Sequence, residues 1–324
     1  MRHAVTVLLL SCAASAFHPG AHAQALTPEK VNAADIVSTV GPKSRGAAVL
    51  RAQVLLARAY FSVGEIDGGY GSNMRRAISG YQAKMGLEPT GTVNRKTWEA
   101  LNATPAPALT TYVLLDADVA GPFEPIPESM ADKAKLATLG FTSAVEALAE
   151  KFHMSPSLLK RLNPGKDFTL AGEEIVVANV LDTEPLPKAG KIVVDKSDHT
   201  LTLLDASGQV IAQFPSSTGS EKDPLPIGSF KVKHITANPA FFYNPKLFWD
   251  ADPADTKSKI APGPNNPVGV AWIDLSKDHY GIHGTPEPSA VGKSQSHGCI
   301  RLTNWDVAAL VKSVPAGIEV ILQE

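Results

Sequence analysis

The chain has 324 residues, 44% of them apolar and 19% charged, with a formal net charge of −2. At roughly 100 to 200 residues per domain, that length predicts two or three domains. The near-neutral balance, with no basic stripe or acidic block, excludes nucleic acid and anionic membrane surfaces as partners chosen by charge.

The first element is a targeting segment. Arg2 precedes an apolar stretch from Ala4 to Leu10, continued by Ala13 and Ala14, and Ala21-His22-Ala23 stands before Gln24. This is the pattern of a secretory signal peptide over residues 1–23, because the apolar run is far shorter than the ~20 residues that cross a bilayer. The expected location is the periplasm or cell envelope. The alternative, a lipid-attachment box at Leu9-Leu10-Ser11-Cys12, would leave an export segment shorter than the ~15 residues of ordinary signals. Either way Cys12 leaves the thiol inventory and Cys299 remains, an odd thiol in an oxidising compartment.

Residues 24–45 lack hydrophobic periodicity and read as a flexible leader with at most one short helix. From 46 to 102 the pattern is helical. Leu50, Val54, Ala57 and Phe61 share one face of a first helix ended by Gly64. Ser72 or Asn73 is expected to cap a second helix, with Met74, Ala77, Ile78, Tyr81 and Met85 inward and Gly86 as its stop. A third, short helix surrounds Trp98 and Leu101.

Residues 103–142 read as a linker rich in Pro, Ala and Thr, followed by an uncertain stretch. Within 143–180, Ser143 and Glu146 form a capping-box pattern before Val145, Leu148, Ala149 and Phe152. Ser155-Pro156 starts another helix carrying Leu158, Leu159 and Leu162, and Glu174–Val177 reads as a strand. A first strand for this unit is not recognisable; Ala137–Phe141 is the only stand-in.

Beyond Pro185, Pro187 and Gly190 the period becomes alternating, in Ile192 and Val194, Leu201 and Leu203, and Val210, Ala212 and Phe214. Further strands are predicted at 229–235, 268–275, 280–284 and 318–322, the signature of an antiparallel sandwich or barrel. One helix interrupts them, opened by Thr303 to Asp306 and burying Val307, Leu310, Val311 and Val314. The fold expected is therefore multidomain α+β: a small three-helix bundle, an αα-strand unit, and a mostly antiparallel β-sandwich over 190–323.

The chemistry concentrates near the C-terminus, at His283-Gly284-Thr285 and Ser296-His297-Gly298-Cys299-Ile300-Arg301. Thiolate is the nucleophile, and a cysteine near pKa 8.5 needs a neighbouring base or imidazolium to raise its reactive fraction. His283 ends a predicted strand sixteen residues before Cys299 and can fold back onto it. His297, two residues from Cys299, points to the same side in extended chain. The amides of His297, Gly298 and Cys299 are candidate oxyanion donors, and Arg301 can clamp a carboxylate. A zinc site of His279, His283 and His297 is disfavoured, since H-x-x-x-H at a strand end does not turn both rings to one metal. No metal and no cofactor is expected.

Three segments resemble known families. Asp67-Gly68, Tyr70-Gly71, Ala77, Tyr81-Gln82, Gly86-Leu87, Gly91, Thr97-Trp98 and Leu101 resemble the peptidoglycan-binding three-helix module. Residues 143–178, through Ala149-Glu150-Lys151-Phe152, Leu159, Leu162-Asn163-Pro164 and Ala171-Gly172, resemble a LysM module.

Residues 190–323 resemble the L,D-transpeptidases, through His283 and the Ser-His-Gly-Cys run, with Ser217-Thr218-Gly219, Pro226-Ile227-Gly228-Ser229-Phe230 and Pro262–Gly269. That resemblance implies attack by Cys299 on the third residue of a peptidoglycan tetrapeptide stem, loss of D-alanine, a thioester, and 3→3 cross-linking by a second stem. It implies His283 as proton acceptor and donor, His297 and Gly298 beside the nucleophile, and Arg301, Ser296 and Gly284 on the substrate side, with Gly284 where some members carry serine. The partners implied are stem peptides and glycan. Water or another amine as acceptor, which would make a carboxypeptidase or an enzyme attaching and detaching wall proteins, stays open, as does a non-catalytic wall-binding protein; the oligomeric state is not legible.

Overall fold

The computed structural model of the protein describes residues 26–33, 38–103 and 106–324. The signal segment, its cleavage site and Cys12 lie outside the described residues. The buried apolar side chains form two clusters, one from Val31 to Val180 and one from Ala189 to Leu322. The helical bundle and the segment after it therefore share one core.

That first half contains α1 (Pro28–Asn32), α2 (Ala47–Arg58), α3 (Ser72–Lys84) and α4 (Arg95–Leu101). The leader expected to be flexible is packed where it is described: Val31 is fully buried, Val40 bridges Val93, and the Trp98 indole donates to Ser38 O at 2.9 Å. Helix α2 stops earlier than predicted, because the chain turns at Tyr60 (φ +60°) and drops Phe61 into the core. Met85 is 46% exposed rather than inward, since α3 ends at Lys84 and the left-handed Gly86 turns the chain away. The N-cap of α3 is Gly71, with no side-chain cap; Asn73 spends its amide elsewhere.

The stretch read as linker contains β1 (Leu109–Val113), α5 (Asp116–Val119) and α6 (Met130–Lys133). Then come α7 (Ala144–Lys151), α8 (Pro156–Leu162) and β2 (Glu174–Ala178). β1 pairs antiparallel with β2, Leu109 opposite Ala178 and Val113 opposite Glu174. So the strand missing from the sequence reading is Leu109–Val113, not Ala137–Phe141, and a long excursion separates it from the helices it belongs with. Both helix starts are capped as expected, by Ser143 to Glu146 N and by Ser155 to Leu158 N.

The second half is built on β3 (Lys191–Asp195), β4 (Thr200–Leu204), β5 (Val210–Pro215) and β6 (Gly228–Ala237). It continues with β7 (Phe241–Tyr243), β8 (Ser258–Ile260), β9 (Ala271–Leu275), β10 (Gly281–His283), β11 (Ile300–Arg301), α9 (Asn304–Ser313) and β12 (Glu319–Gln323). Eight strands run in the order β11-β10-β9-β6-β12-β3-β4-β5, and β7-β8 form a separate hairpin that the sequence did not reveal. Among the strand pairs of the eight-stranded sheet in the described residues, β10–β11 and β12–β3 are the parallel ones. β6 pairs with β12 through Gly228–Lys231 and with β9 from Val232 on, across a register shift at Val232/His234. Such a bulge bends the long strand and increases its twist, so that the single eight-stranded sheet curls rather than forming the two separate sheets of a sandwich.

Candidate active site

Ile300 and Arg301, directly after Cys299, pair with the strand that ends at His283. β11 lies parallel to β10 with Ile300 opposite Ile282 and Arg301 opposite His283. Ile282 and Ile300 are fully buried, each worth about 1.5–3 kcal/mol of apolar burial. A slip of one residue would put His283 and Arg301 into that core, so the register is strongly specified. By alternation His283 and Arg301 share the opposite face, and the sulfur of Cys299, two residues before Arg301, takes the Gly281 amide on the neighbouring strand.

His283 is buried at 4% exposure and held on two sides. Its ring stacks on Trp272 at 5.3 Å and 16°. Its Nδ1 lies 2.6 Å from Gly284 O. A carbonyl can only accept, so Nδ1 carries the proton and Nε2 keeps a free lone pair. Burial, aided by the Arg301 guanidinium, pushes the imidazole down to about 3, so it is neutral at pH 7. The group that orients the base, which no sequence motif nominated, is thus a backbone carbonyl one residue away.

The Cys299 thiol donates to His279 O at 3.6 Å, and burial raises its pKa against the opposing effects of the Gly281 amide and Arg301. Thiol and imidazole are therefore both neutral at rest. The sequence reading asks for a base or imidazolium beside the thiol to raise its thiolate fraction, and burial works against that fraction by disfavouring both charged forms.

The turn that presents Cys299 is closed by Ser296, whose hydroxyl donates to Cys299 O at 2.5 Å and whose amide donates to Thr218 O at 2.9 Å. Ser296 is buried, so the substrate contact implied for it is replaced by a turn-closing role. Gly298 has φ +96°, and a Cβ there would lie 2.9 Å from Tyr280 Cε1. The amides of His297, Gly298 and Cys299 donate to no carbonyl among the described residues, leaving them free for an oxyanion.

Gly298 also breaks the extended run assumed for His297. The His297 Nε2 instead lies 2.9 Å from Asp250 Oδ1, and its ring packs on Phe248 and Trp249 at 5.2 and 5.8 Å. Gly284 is likewise not on the substrate side: a Cβ there would meet Asn304 Oδ1 at 2.2 Å. A side chain at this position would collide with that oxygen. Arg301 is largely buried, and its Nε has no hydrogen-bond partner. Its backbone pairs with Ser217 in both directions, at 2.8 and 3.0 Å.

Trp272, Tyr280, Asp250 and Asn304 were missed in the sequence. Trp272 stands opposite His283 on β9, a relation visible only once the strands are paired. No group of three metal-ligating side chains converges among the described residues. A cavity of about 520 Å³ lies away from Cys299, between α7, the excursion after β1, and the start of α9.

Comparison with known proteins assigns the class. A family profile of the L,D-transpeptidase catalytic domain matches residues 189–322, and one of a peptidoglycan binding domain matches 45–101. The chain is 31% identical over 179 residues to YkuD of Bacillus subtilis, which bears an L,D-transpeptidase name, covering 55% of this chain and 92% of that one. The Bacillus licheniformis protein of the same name is 30% identical over 54% of this chain and 91% of its own. YbiS of Escherichia coli K12, named in the same class, is 28% identical over 56% of this chain and 60% of its own. The chain belongs to the L,D-transpeptidase family.

Proposed function

We propose that this enzyme is an exported cysteine L,D-transpeptidase that acts on peptidoglycan tetrapeptide stems. The observation that carries the reading is the β10–β11 register, which brings thiol, oriented neutral imidazole and a buried guanidinium together. Cys299 attacks the carbonyl of the third stem residue as its proton passes to Nε2 of His283. The developing oxyanion is taken by the free amides of the Cys299 turn. His283 then protonates the departing D-alanine amine, leaving a thioester on Cys299. The amine of a second stem resolves it into a 3→3 cross-link, with His283 receiving the amine's proton and returning it to sulfur. Arg301, a buried cation with donors to spare, pairs with a substrate carboxylate.

The peptidoglycan-binding unit retains the enzyme on the wall, and the segment over residues 1–23 directs it to the envelope. Transfer of the same acyl group to water or to a protein amine remains the second reading, since nothing in the thiol–imidazole pair selects the acceptor.

Incubation with purified tetrapeptide muropeptides, read by product mass, is the test. Wild type should yield dimers lacking one D-alanine, whereas water as acceptor yields tripeptide monomers. Carbapenem should add to wild type and not to Cys299→Ala. His283→Ala should slow acylation by about 10²- to 10⁴-fold. Dimer formation by Cys299→Ala would sink the mechanism.

A further inference from the structure

The helical unit does more than sit beside the catalytic half: it reaches the loop that carries the nucleophile. Asn73, in the first turn of α3, is 5% exposed and donates from Nδ2 to Val291 O at 2.8 Å. Its Oδ1 accepts from Arg76 Nη1 at 3.2 Å, and Arg76 also approaches Gly292 O at 3.4 Å. A Cβ at Gly292, where φ is +74°, would lie 2.4 Å from Asn73 Oδ1, so the two chains are closely fitted there. On its other side Gly292 N donates to Ser217 Oγ at 3.0 Å, and Ser217 is the backbone partner of Arg301. An unbroken series of contacts thus runs from α3 through Val291, Gly292 and Ser217 to the strand that follows Cys299. Within α3, Asn73 lies two positions past the uncapped Gly71, and its Nδ2 donor is used across the interface.

We propose that Asn73 is a positioning residue for the transpeptidase reaction, through which the wall-binding unit holds the Cys299 loop in its reactive register. Asn73 touches no reacting atom; it acts by fixing Val291 and Gly292. The proposal rests on the functional reading above, and it makes the N-terminal unit part of the active-site frame as well as a tether.

The test compares the full chain with Asn73→Ala, the isosteric Asn73→Asp, and Lys84→Ala. Lys84 reaches Ile211 O at 3.5 Å across the same interface without touching the loop. Misplacement of a reacting group by an ångström costs on the order of 10²-fold, so both Asn73 variants should lose about 10- to 100-fold in kcat with KM little changed. Amide hydrogen exchange should accelerate within residues 290–299 while the α2 and α3 cores keep wild-type protection, and Lys84→Ala should match wild type in both readouts. Wild-type kcat or wild-type loop exchange in Asn73→Asp overturns the proposal, as does an equal effect of Lys84→Ala. Asn73→Asp preserves shape and covers the case in which the alanine variant does not fold. A wild type that turns over no stem peptide while the loop still responds to Asn73 would count against the functional reading alone.

Discussion

Two opposed pKa shifts set the chemistry at the residue scale. With His283 pushed down to about 3 and the Cys299 thiol raised, the reactive form of the free enzyme is neutral thiol with neutral imidazole. The pH profile of kcat/KM should accordingly lack an acid limb near 6.5 and fall only well below it, and the 240 nm absorbance of a thiolate should be missing at pH 7 in a wild type minus Cys299→Ser difference spectrum. An acid limb between 6 and 7 would indicate an imidazole that titrates normally. Gly284→Ser tests the packing behind the base. Its Cβ would overlap Asn304 Oδ1, which accepts from Val270 N at 3.2 Å, so relief must move α9 or the Gly284 carbonyl that orients His283. Overpacking of this kind costs about 1–3 kcal/mol, and the variant should show both a lower Tm and slower acylation by a carbapenem.

At the scale of elements, helices and their starts were legible and several strands were not. Ser143, Ser155 and Thr303 cap helices as local chemistry dictates, because a cap satisfies amides only three residues away. Thr303→Ala should cost about 1 kcal/mol, read as a lower denaturation midpoint. Asn73 is the instructive exception: its residue type suits a cap, and a tertiary contact claimed its side chain. β1 escaped notice because its partner β2 lies some sixty residues on, beyond any local pattern. β7 and β8 are three residues each, too short to show alternation, yet the segment between them supplies Phe248, Trp249 and Asp250 to His297.

Over the whole molecule the two halves meet through buried groups that titrate in opposite senses. The Ser62 hydroxyl donates to Asp306 Oδ2 at 2.9 Å, and burial raises Asp306 to about 7. Glu150, which accepts from Asn304 Nδ2 at 3.1 Å, is also raised to about 7 by burial. His153, stacked on Trp305, and His283 are both lowered to about 3. The raised carboxyls hold protons that the unfolded chain has lost, so their stability contribution is full below about 4 and fades as pH rises to about 7. The lowered imidazoles refuse protons that the unfolded chain takes up, so stability falls on acidification from about 6.5 to about 3. Two and two oppose each other between about 4.5 and 6.5, so the pH slopes of these four groups largely cancel there. Asp306→Asn removes one falling contribution, and its stability should therefore climb with pH across that window by on the order of 1 kcal/mol per unit relative to wild type. A parallel, unsloped curve for the variant would mean that Asp306 ionises normally in the folded protein.

Residue order alone singled out Cys299 and His283 as candidates, the helix that follows and the division into helical and alternating halves, because each depends on neighbours within a few turns or on a contiguous motif. The tertiary structure decided that Nδ1 of His283 meets Gly284 O, that Ser296 closes a turn, that His297 belongs to Asp250, and that Asn73 and Glu150 of the N-terminal half bond to Val291 and Asn304 of the other. The contacts of His297, Asn73 and Glu150 join segments separated by tens to hundreds of residues. They follow from strand register and from the burial of polar groups that must find partners, which exist only once the chain has packed.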